Sequence, residues 1–216
     1  MGVKAANLNG RAGSRARAPR AVRADAQRNL DALLEAAMAV FASSGVDAPV
    51  RQIAEKAGVG LGTVYRHFPQ RSDLIAAVFR HEIDACAGAA PLLAIEYRPG
   101  EALAKWMLRY VDFVSAKRGL APALHSGDPA FETLRGYFDQ RLRPALHTLL
   151  ASAVAAGEVR ADVDADDILS AVTSLSMHAF AQGPDHARRM VSLFVDGLRY
   201  IPGPNSKPKK AKQRAK

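Results

Sequence analysis

Residues 53–69 constrain the fold of this chain more than any other part of its 216-residue sequence. Ile53 and Ala57 are four residues apart, which places them on one face of a short helix. Gly58 follows at the position where a helix commonly ends in a left-handed residue. Residues 61–67 come next and are too few to form a stable helix unless they pack against neighbours. Two short helices around a tight glycine turn make a helix-turn-helix, whose second helix fits the major groove of DNA.

The second helix of this motif, residues 61–67, carries polar side chains that suit a phosphate backbone, and we name it the recognition helix. Thr63 offers a hydroxyl and Tyr65 a phenol, while Arg66 and His67 offer a guanidinium and an imidazole. All four groups donate hydrogen bonds to phosphate oxygens. The sequence therefore predicts a DNA-binding segment, although Tyr65 and His67 have the alternative of packing only into the core of a small domain.

The same segment resembles the DNA-binding domain of the TetR family of bacterial repressors, whose signature runs IA..AGVS.GT.Y.HF..K..L. The matching residues are Ile53, Ala54, Ala57, Gly58, Val59, Gly62, Thr63, Tyr65, His67, Phe68, Arg71 and Leu74. One departure is Gly60, which stands where the family often has a serine that caps the recognition helix. A glycine cap lacks the side-chain hydrogen bond, a loss of a few tenths of a kcal/mol. Further along, residues 155–163 resemble the SbtR-like group within the family.

The resemblance implies a role for individual side chains. Tyr65 and His67 would hold phosphates, and Arg71, at the start of the fourth helix, would hold another. Arg51, in the first turn of the second helix, has the guanidinium fork that matches guanine, and Leu61 would contact a thymine methyl group. The complete set of predicted DNA-binding residues is Arg51, Leu61, Gly62, Thr63, Tyr65, Arg66, His67 and Arg71.

The formal net charge of +9 is concentrated at the two ends of the chain. Residues 1–24 contain six basic residues and no acidic one, and residues 201–216 contain six more and again no acid. Removing these twelve charges from +9 leaves −3 for residues 25–200. Segments of this kind bury too little apolar surface to fold, so we predict disordered tails at residues 1–24 and 202–216. The tails are either simply solvated or add nonspecific phosphate contacts.

Between the tails, apolar residues recur at spacings of three and four, which predicts an all-α fold. A first helix should span about residues 25–44 and end at Gly45. The resemblance implies that residues 25–72 form a three-helix DNA-binding domain and that residues 73–201 form a larger helical domain for ligand binding and dimerisation. We expect Pro91 to interrupt the fourth helix, because proline lacks the N–H donor and clashes with the preceding turn.

Aromatic and methionine side chains at helical spacing in the second domain are typical of a core. A ligand-controlled repressor also needs an apolar pocket with a few polar groups. Tyr110 and His178 suit that polar role, and His147 is a third candidate. The predicted ligand pocket, for an unknown small-molecule inducer, consists of Trp106, Tyr110, His147, Met177 and His178.

The final helix has an apolar face that is too long for the core of one domain. That face consists of Met190, Leu193, Phe194, Gly197, Leu198 and Ile201. The simplest cover is the identical face of a second copy, and Gly197 would allow a close approach. The sequence therefore predicts a symmetric homodimer.

No pattern in the sequence indicates catalysis, a cofactor or a metal site. There is no nucleophile motif and no GxxxxGK phosphate loop, and no two histidines lie four residues apart. No apolar run approaches the roughly 18 residues of a membrane span, and the start of the chain lacks the apolar stretch of a secretory signal. The single cysteine, Cys86, excludes an internal disulfide and suits a reducing compartment. We predict a cytoplasmic protein that is not an enzyme.

These observations favour a ligand-responsive dimeric repressor that binds a palindromic operator in double-stranded DNA. The alternative is a ligand-independent DNA-coating or architectural protein, suggested by the two cationic tails. A helical enzyme with an incidental helix-turn-helix is the least favoured interpretation. The repressor should bind one site tightly, whereas an architectural protein should bind with an affinity almost independent of sequence.

Overall fold

The computed structural model describes residues 19–179 and 182–199, and for some of these, His178 among them, only the backbone. The described residues form eight α-helices and one 3-10 turn, and no strand occurs among them, so the predicted all-α class is confirmed. The helices are α1 (Pro19–Ser44), α2 (Val50–Ala57), α3 (Leu61–His67), α4 (Arg71–Glu96), α5 (Pro99–Leu124), α6 (Leu134–Ala155), α7 (Ala165–Ala179) and α8 (Pro184–Arg199). Among these described helices, none combines the length and the apolar character that a membrane span requires.

The first three helices form the predicted helix-turn-helix unit. Gly45 follows α1 with a φ of +79°, and Gly58 follows α2 with a φ of +68°, a region that residues with a side chain seldom adopt. Phe41, Ile53 and Val64, one from each helix, are at most 1% exposed and join the three helices in one core. The local turn chemistry and the apolar spacing therefore produce the arrangement that they predict.

The helix α1 begins earlier than expected. It starts at Pro19 rather than near residue 25, so residues 19–24, predicted as part of the basic tail, are helical. Proline is well suited to the first turn of a helix, because the N–H that it lacks has no partner there in any case. Residues 1–18 and the predicted tail 202–216 lie outside the described residues.

The expectation that Pro91 interrupts the fourth helix is wrong. The helix α4 runs without a break from Arg71 to Glu96 and contains Pro91 in its last quarter. Pro91 is exposed, whereas Cys86 and Ala90 beside it are buried against the rest of the second domain. Packing of α4 on α5 and α6 outweighs the loss of one backbone hydrogen bond, which is a local preference that tertiary contacts can override.

Four helices of the second domain pack around the fifth, α5. This helix contacts α4, α6, α7 and α8, and α7 also packs on α8. On the other side, α4 is tied to α6 by side-chain hydrogen bonds: Asp84 accepts one from Tyr137 Oη at 2.6 Å and one from Arg141 Nε at 2.7 Å. The helix α4 therefore belongs to both halves of the molecule, because it also contacts α1.

Candidate nucleic-acid interface

The recognition helix, α3, has one buried anchor and an exposed polar side. Val64 is 1% exposed and fixes the helix to the core, while Tyr65 is 51% and Leu61 41% exposed. Gly62, Arg66 and His67 are also exposed, and Thr63 is half-buried. The structure thus brings six of the predicted DNA-binding residues together on one short helix at the surface.

The first turn of α3 is held by backbone hydrogen bonds alone. Gly60 is the N-cap residue and provides no side-chain hydrogen bond. Its carbonyl accepts hydrogen bonds from the N–H groups of Thr63 at 2.9 Å and Val64 at 3.4 Å. At the other end, Phe68 N–H donates to the carbonyl of Val64 at 2.8 Å. Position 60 therefore lacks the capping hydroxyl of the serine that the TetR-family signature often has there.

Arg51 lies on the outer face of α2, beside the recognition helix. Its side chain is 81% exposed, and its Nε donates to Glu55 Oε1 at 3.0 Å. Such an exposed pair one helical turn apart contributes about 0.3–0.5 kcal/mol. Arg51 is accordingly free to exchange this carboxylate for a base edge at small cost. Lys56 is another exposed cation on α2 that the sequence reasoning did not select.

Arg71 lies at the start of the fourth helix, as the resemblance implies, but its side chain has partners inside the protein. It is the first residue of α4, and its guanidinium donates hydrogen bonds to the backbone carbonyls of Val46 and Ala48. Both terminal nitrogens are thus directed into the loop between α1 and α2 rather than outward to a phosphate. The phosphate contact of Arg71 stays a prediction. Its internal partners come from a loop more than twenty residues away, which residue spacing does not reveal.

Two of the predicted pocket residues lie together in the packed core. Trp106 and Tyr110 are 0% and 2% exposed, and their rings stack with centroids 5.7 Å apart. Trp106 Nε1 donates to the carbonyl of Cys86 on α4 at 3.0 Å, and Tyr110 Oη pairs with Thr173 Oγ1 on α7 at 2.8 Å. Burial raises the pKa of Tyr110 to about 12, against the smaller opposing effect of the hydrogen bond to Thr173.

The structure does not bring His147 and Met177 to this place. His147 is exposed on α6, in a surface groove that also includes Arg143 and Asp166. Met177 on α7 is 56% exposed, and the side chain of His178 is not described. The five residues therefore do not line one pocket. Sequence reasoning missed Thr173, the partner of Tyr110, because no spacing connects a threonine on α7 with a tyrosine on α5.

The predicted dimer face is exposed only in part. Leu193 is 64% exposed, Met190 and Phe194 are half-buried, and Gly197 is exposed with open space in front of its Cα. Leu198 is 5% exposed and belongs to the core of its own chain, so its assignment to the face is wrong. Its carbonyl accepts a hydrogen bond from Arg160 N–H at 3.0 Å. Ile201 lies outside the described residues.

Metal-ligating side chains do not converge in the part of the chain that the structure describes. Within it, no group of three or more His, Cys, Asp or Glu side chains is placed to hold a metal ion. Cys86 is buried, and that burial raises the pKa of its thiol from 9.0 to about 12. A thiol of this kind stays protonated and acts as a small apolar group.

Comparison with known proteins shows similarity along most of the chain. Residues 33–78 match the family model of bacterial regulatory proteins of the tetR family, and residues 98–200 match that of the SbtR-like transcriptional regulator C-terminal domain. The TetR transcriptional regulator SCO0520 from Streptomyces coelicolor is 37% identical with a TM-score of 0.70, over 80% of this chain and 99% of its own. The TetR transcription regulatory protein from Mycobacterium vanbaalenii is 36% identical with a TM-score of 0.68, over 83% and 99%. An HTH-type transcriptional regulator from Staphylococcus aureus is 26% identical over 133 residues, which are 61% of this chain and 72% of its own length.

Proposed function

Because the chain belongs to the TetR family of bacterial transcriptional regulators, we propose that it is a dimeric repressor whose binding to a palindromic operator is controlled by a small molecule. The family consists of regulators rather than enzymes, and the C-terminal match agrees with the SbtR-like resemblance. We propose that residues up to 72 bind DNA, and that the residues beyond them bind the ligand and form the dimer.

The observation that carries this proposal is the surface of α3. One residue, Val64, fixes the helix to the core, and the side chains of Tyr65, Arg66 and His67 are exposed together. A helix of seven residues with donors on its outer side fits the major groove and its flanking phosphates. Arg51 on α2 supplies the candidate base-reading fork.

A dimer is supported by apolar side chains on the last two helices. Met177 on α7 and Leu193 on α8 are more than half exposed, and these helices pack on each other. Phe194 and Met190 extend the apolar surface of α8. Two copies meeting through these helices would cover it in an isologous interface and hold two recognition helices for two half-sites of a palindrome.

Ligand response is supported by the contacts between the aromatic core and α4. Trp106 donates to the Cys86 carbonyl on α4, and its neighbour Tyr110 pairs with Thr173 on α7. A ligand that separates α5 from α7 here would disturb the packing of α4, which begins only four residues after α3 ends. By linkage, operator DNA must then weaken ligand binding by the same factor by which ligand weakens DNA binding.

The test of this function is selection of DNA by the purified protein. Duplexes with a randomised 40-base-pair region are bound, recovered and sequenced over several rounds. A repressor enriches one motif with two inverted half-sites, centred about 34 Å or a whole number of helical turns apart. Enrichment that never exceeds that of the unselected pool would contradict the proposal and favour the DNA-coating alternative.

A further inference from the structure

Arg71 forms a direct link between α4 and the loop that precedes α2. Its Nη2 donates to the Ala48 carbonyl at 2.6 Å, and its Nη1 donates to the Val46 carbonyl. Val46 and Ala48 are themselves 9% and 3% exposed. The planar guanidinium thus reaches the carbonyls of the two buried residues of one loop, a geometry that a point-like ammonium group does not reproduce.

This loop leads directly into α2. The N-cap residue of α2, Pro49, directly follows Ala48 and has no side-chain capping bond. Arg51, the candidate base-reading residue, is only three residues beyond Ala48. The main packing partners of α2 in the described structure are α1 and α3, so Arg71 adds a polar connection from α4 itself.

The middle of α4 is hydrogen-bonded to residues at and near the start of α6 in the second domain. Arg80 Nη2, two and a half turns along α4 from Arg71, donates to Thr133 Oγ1 at 2.9 Å. One turn further, Asp84 accepts the hydrogen bonds from Tyr137 and Arg141 on α6. The helix α4 is therefore bonded to the second domain in its middle and to the start of α2 at its first residue.

We propose that Arg71 is a positioning residue for DNA recognition, which fixes α2 and its Arg51 relative to α4 and passes displacements of α4 on to α2. The inference rests on the proposed function, since it concerns how the DNA-reading residues are held. It differs from the role that the family resemblance implies, in which this position supplies a charge to a phosphate.

Two substitutions separate these roles. Arg71→Met removes both the charge and the two hydrogen bonds, whereas Arg71→Lys keeps the charge but loses the planar fork. A positioning role predicts that both variants lose about tenfold or more in affinity for the duplex enriched by the wild-type protein. On a random-sequence 30-base-pair duplex, both should keep the wild-type slope of log affinity against log salt. If Arg71 instead contacts a phosphate, the salt slope should fall by about one in Arg71→Met, and Arg71→Lys should bind like the wild type. That result would overturn the proposal.

Hydrogen–deuterium exchange on the DNA-free protein tests the link without any operator. Because neither variant can make the two hydrogen bonds at once, amides of residues 46–54 should exchange about tenfold faster or more in both Arg71 variants. The matched control is Arg66→Met, which removes the same charge from an exposed arginine on α3 and should leave this segment unchanged. Unchanged exchange in the Arg71 variants would refute the positioning role. Failure of the wild-type protein to select any DNA motif would instead count against the repressor function.

Discussion

Tyr110 on α5 and Thr173 on α7 form a hydrogen bond between their hydroxyl groups, with the oxygens 2.8 Å apart. The tyrosine ring is 2% exposed and stacks on both Trp106 and Phe113. This bond is therefore a polar connection inside an apolar aromatic cluster, at the junction between the centre of the domain and the last two helices.

The free-energy losses from removing each partner of this bond should not add, because each single removal leaves the other hydroxyl unpaired. Tyr110→Phe leaves the Thr173 hydroxyl without its partner, and the free energy of unfolding should fall by about 1–3 kcal/mol. Thr173→Val should have a similar effect. In the double variant the loss should be smaller than the sum of the two, because no polar group is left unpaired. Urea unfolding of the wild type, the two single variants and the double variant measures the coupling free energy between the two hydroxyl groups. Losses that simply add would contradict the predicted coupling.

Stability should fall at alkaline pH because of two buried acids. Burial raises the pKa of Cys86 from 9.0 to about 12 and that of Tyr110 from 10.0 to about 12. Both groups are neutral in the native state, so their contribution is fully present below the unfolded pKa values and is lost as pH rises through the folded values. The window runs from about pH 9 to about pH 12.

Urea unfolding at pH 8, 9.5 and 10.5 checks this dependence. The wild-type protein should lose more stability across the series than Cys86→Ala, in which the earlier-titrating group is absent. Cys86 should also react with a thiol reagent at pH 8 only as fast as the protein opens, because its thiol is buried and protonated. If the stability of Cys86→Ala had the same pH dependence as that of the wild-type protein, the raised pKa of Cys86 would be contradicted.

The helix-turn-helix could be predicted because its determinants are local. Gly45 and Gly58 stand where the backbone takes a positive φ, and the spacing of Ile53 and Ala57 identifies the buried side of α2. These signals span fewer than twenty residues and need no knowledge of the rest of the fold. The C-terminal helices were predictable for the same reason, through the repetition of apolar residues at three and four.

What the sequence did not reveal depends on contacts between distant segments. The partners of Arg71 are 23 and 25 residues away, and Thr173 is 63 residues from Tyr110. The helix α4 continues through Pro91 because its other side packs against α5 and α6, and this packing outweighs the local preference of proline to end a helix. Leu198 has the spacing of an exposed face but turns inward, since a helical period alone does not separate an interface from the domain's own core.

Substitution of Leu193 should convert the proposed dimer to a monomer. A glutamate at this 64% exposed position would place two charges in the centre of an apolar interface, where they repel and lose hydration. Leu92→Glu is the matched control, because Leu92 is 66% exposed but lies on α4. Light scattering at micromolar concentration should show a monomer for Leu193→Glu and a dimer for Leu92→Glu. Equal masses for both variants would argue against the α7–α8 interface.

Sequence-specific binding should depend on Arg51 and Tyr65 rather than on the basic N-terminal segment. Either alanine substitution should lower affinity for the enriched duplex by about 1–3 kcal/mol, because each removes one exposed donor. Deletion of residues 1–18, which precede α1, should weaken binding to all sequences alike and flatten the salt dependence. Fluorescence anisotropy titrations at several salt concentrations distinguish these effects. Loss of discrimination in the deletion variant, but not in Tyr65→Ala, would reassign the reading surface.

The most direct measurement for the whole account is the ratio of affinities for two duplexes at one salt concentration. One contains the motif enriched by the wild-type protein, and the other contains the same bases in scrambled order. At about 150 mM salt, a sequence-specific regulator should bind the first at least about a thousandfold more tightly, with two protein chains on each duplex. A ratio near one, or a single chain on the enriched duplex, would contradict a dimeric operator-binding repressor.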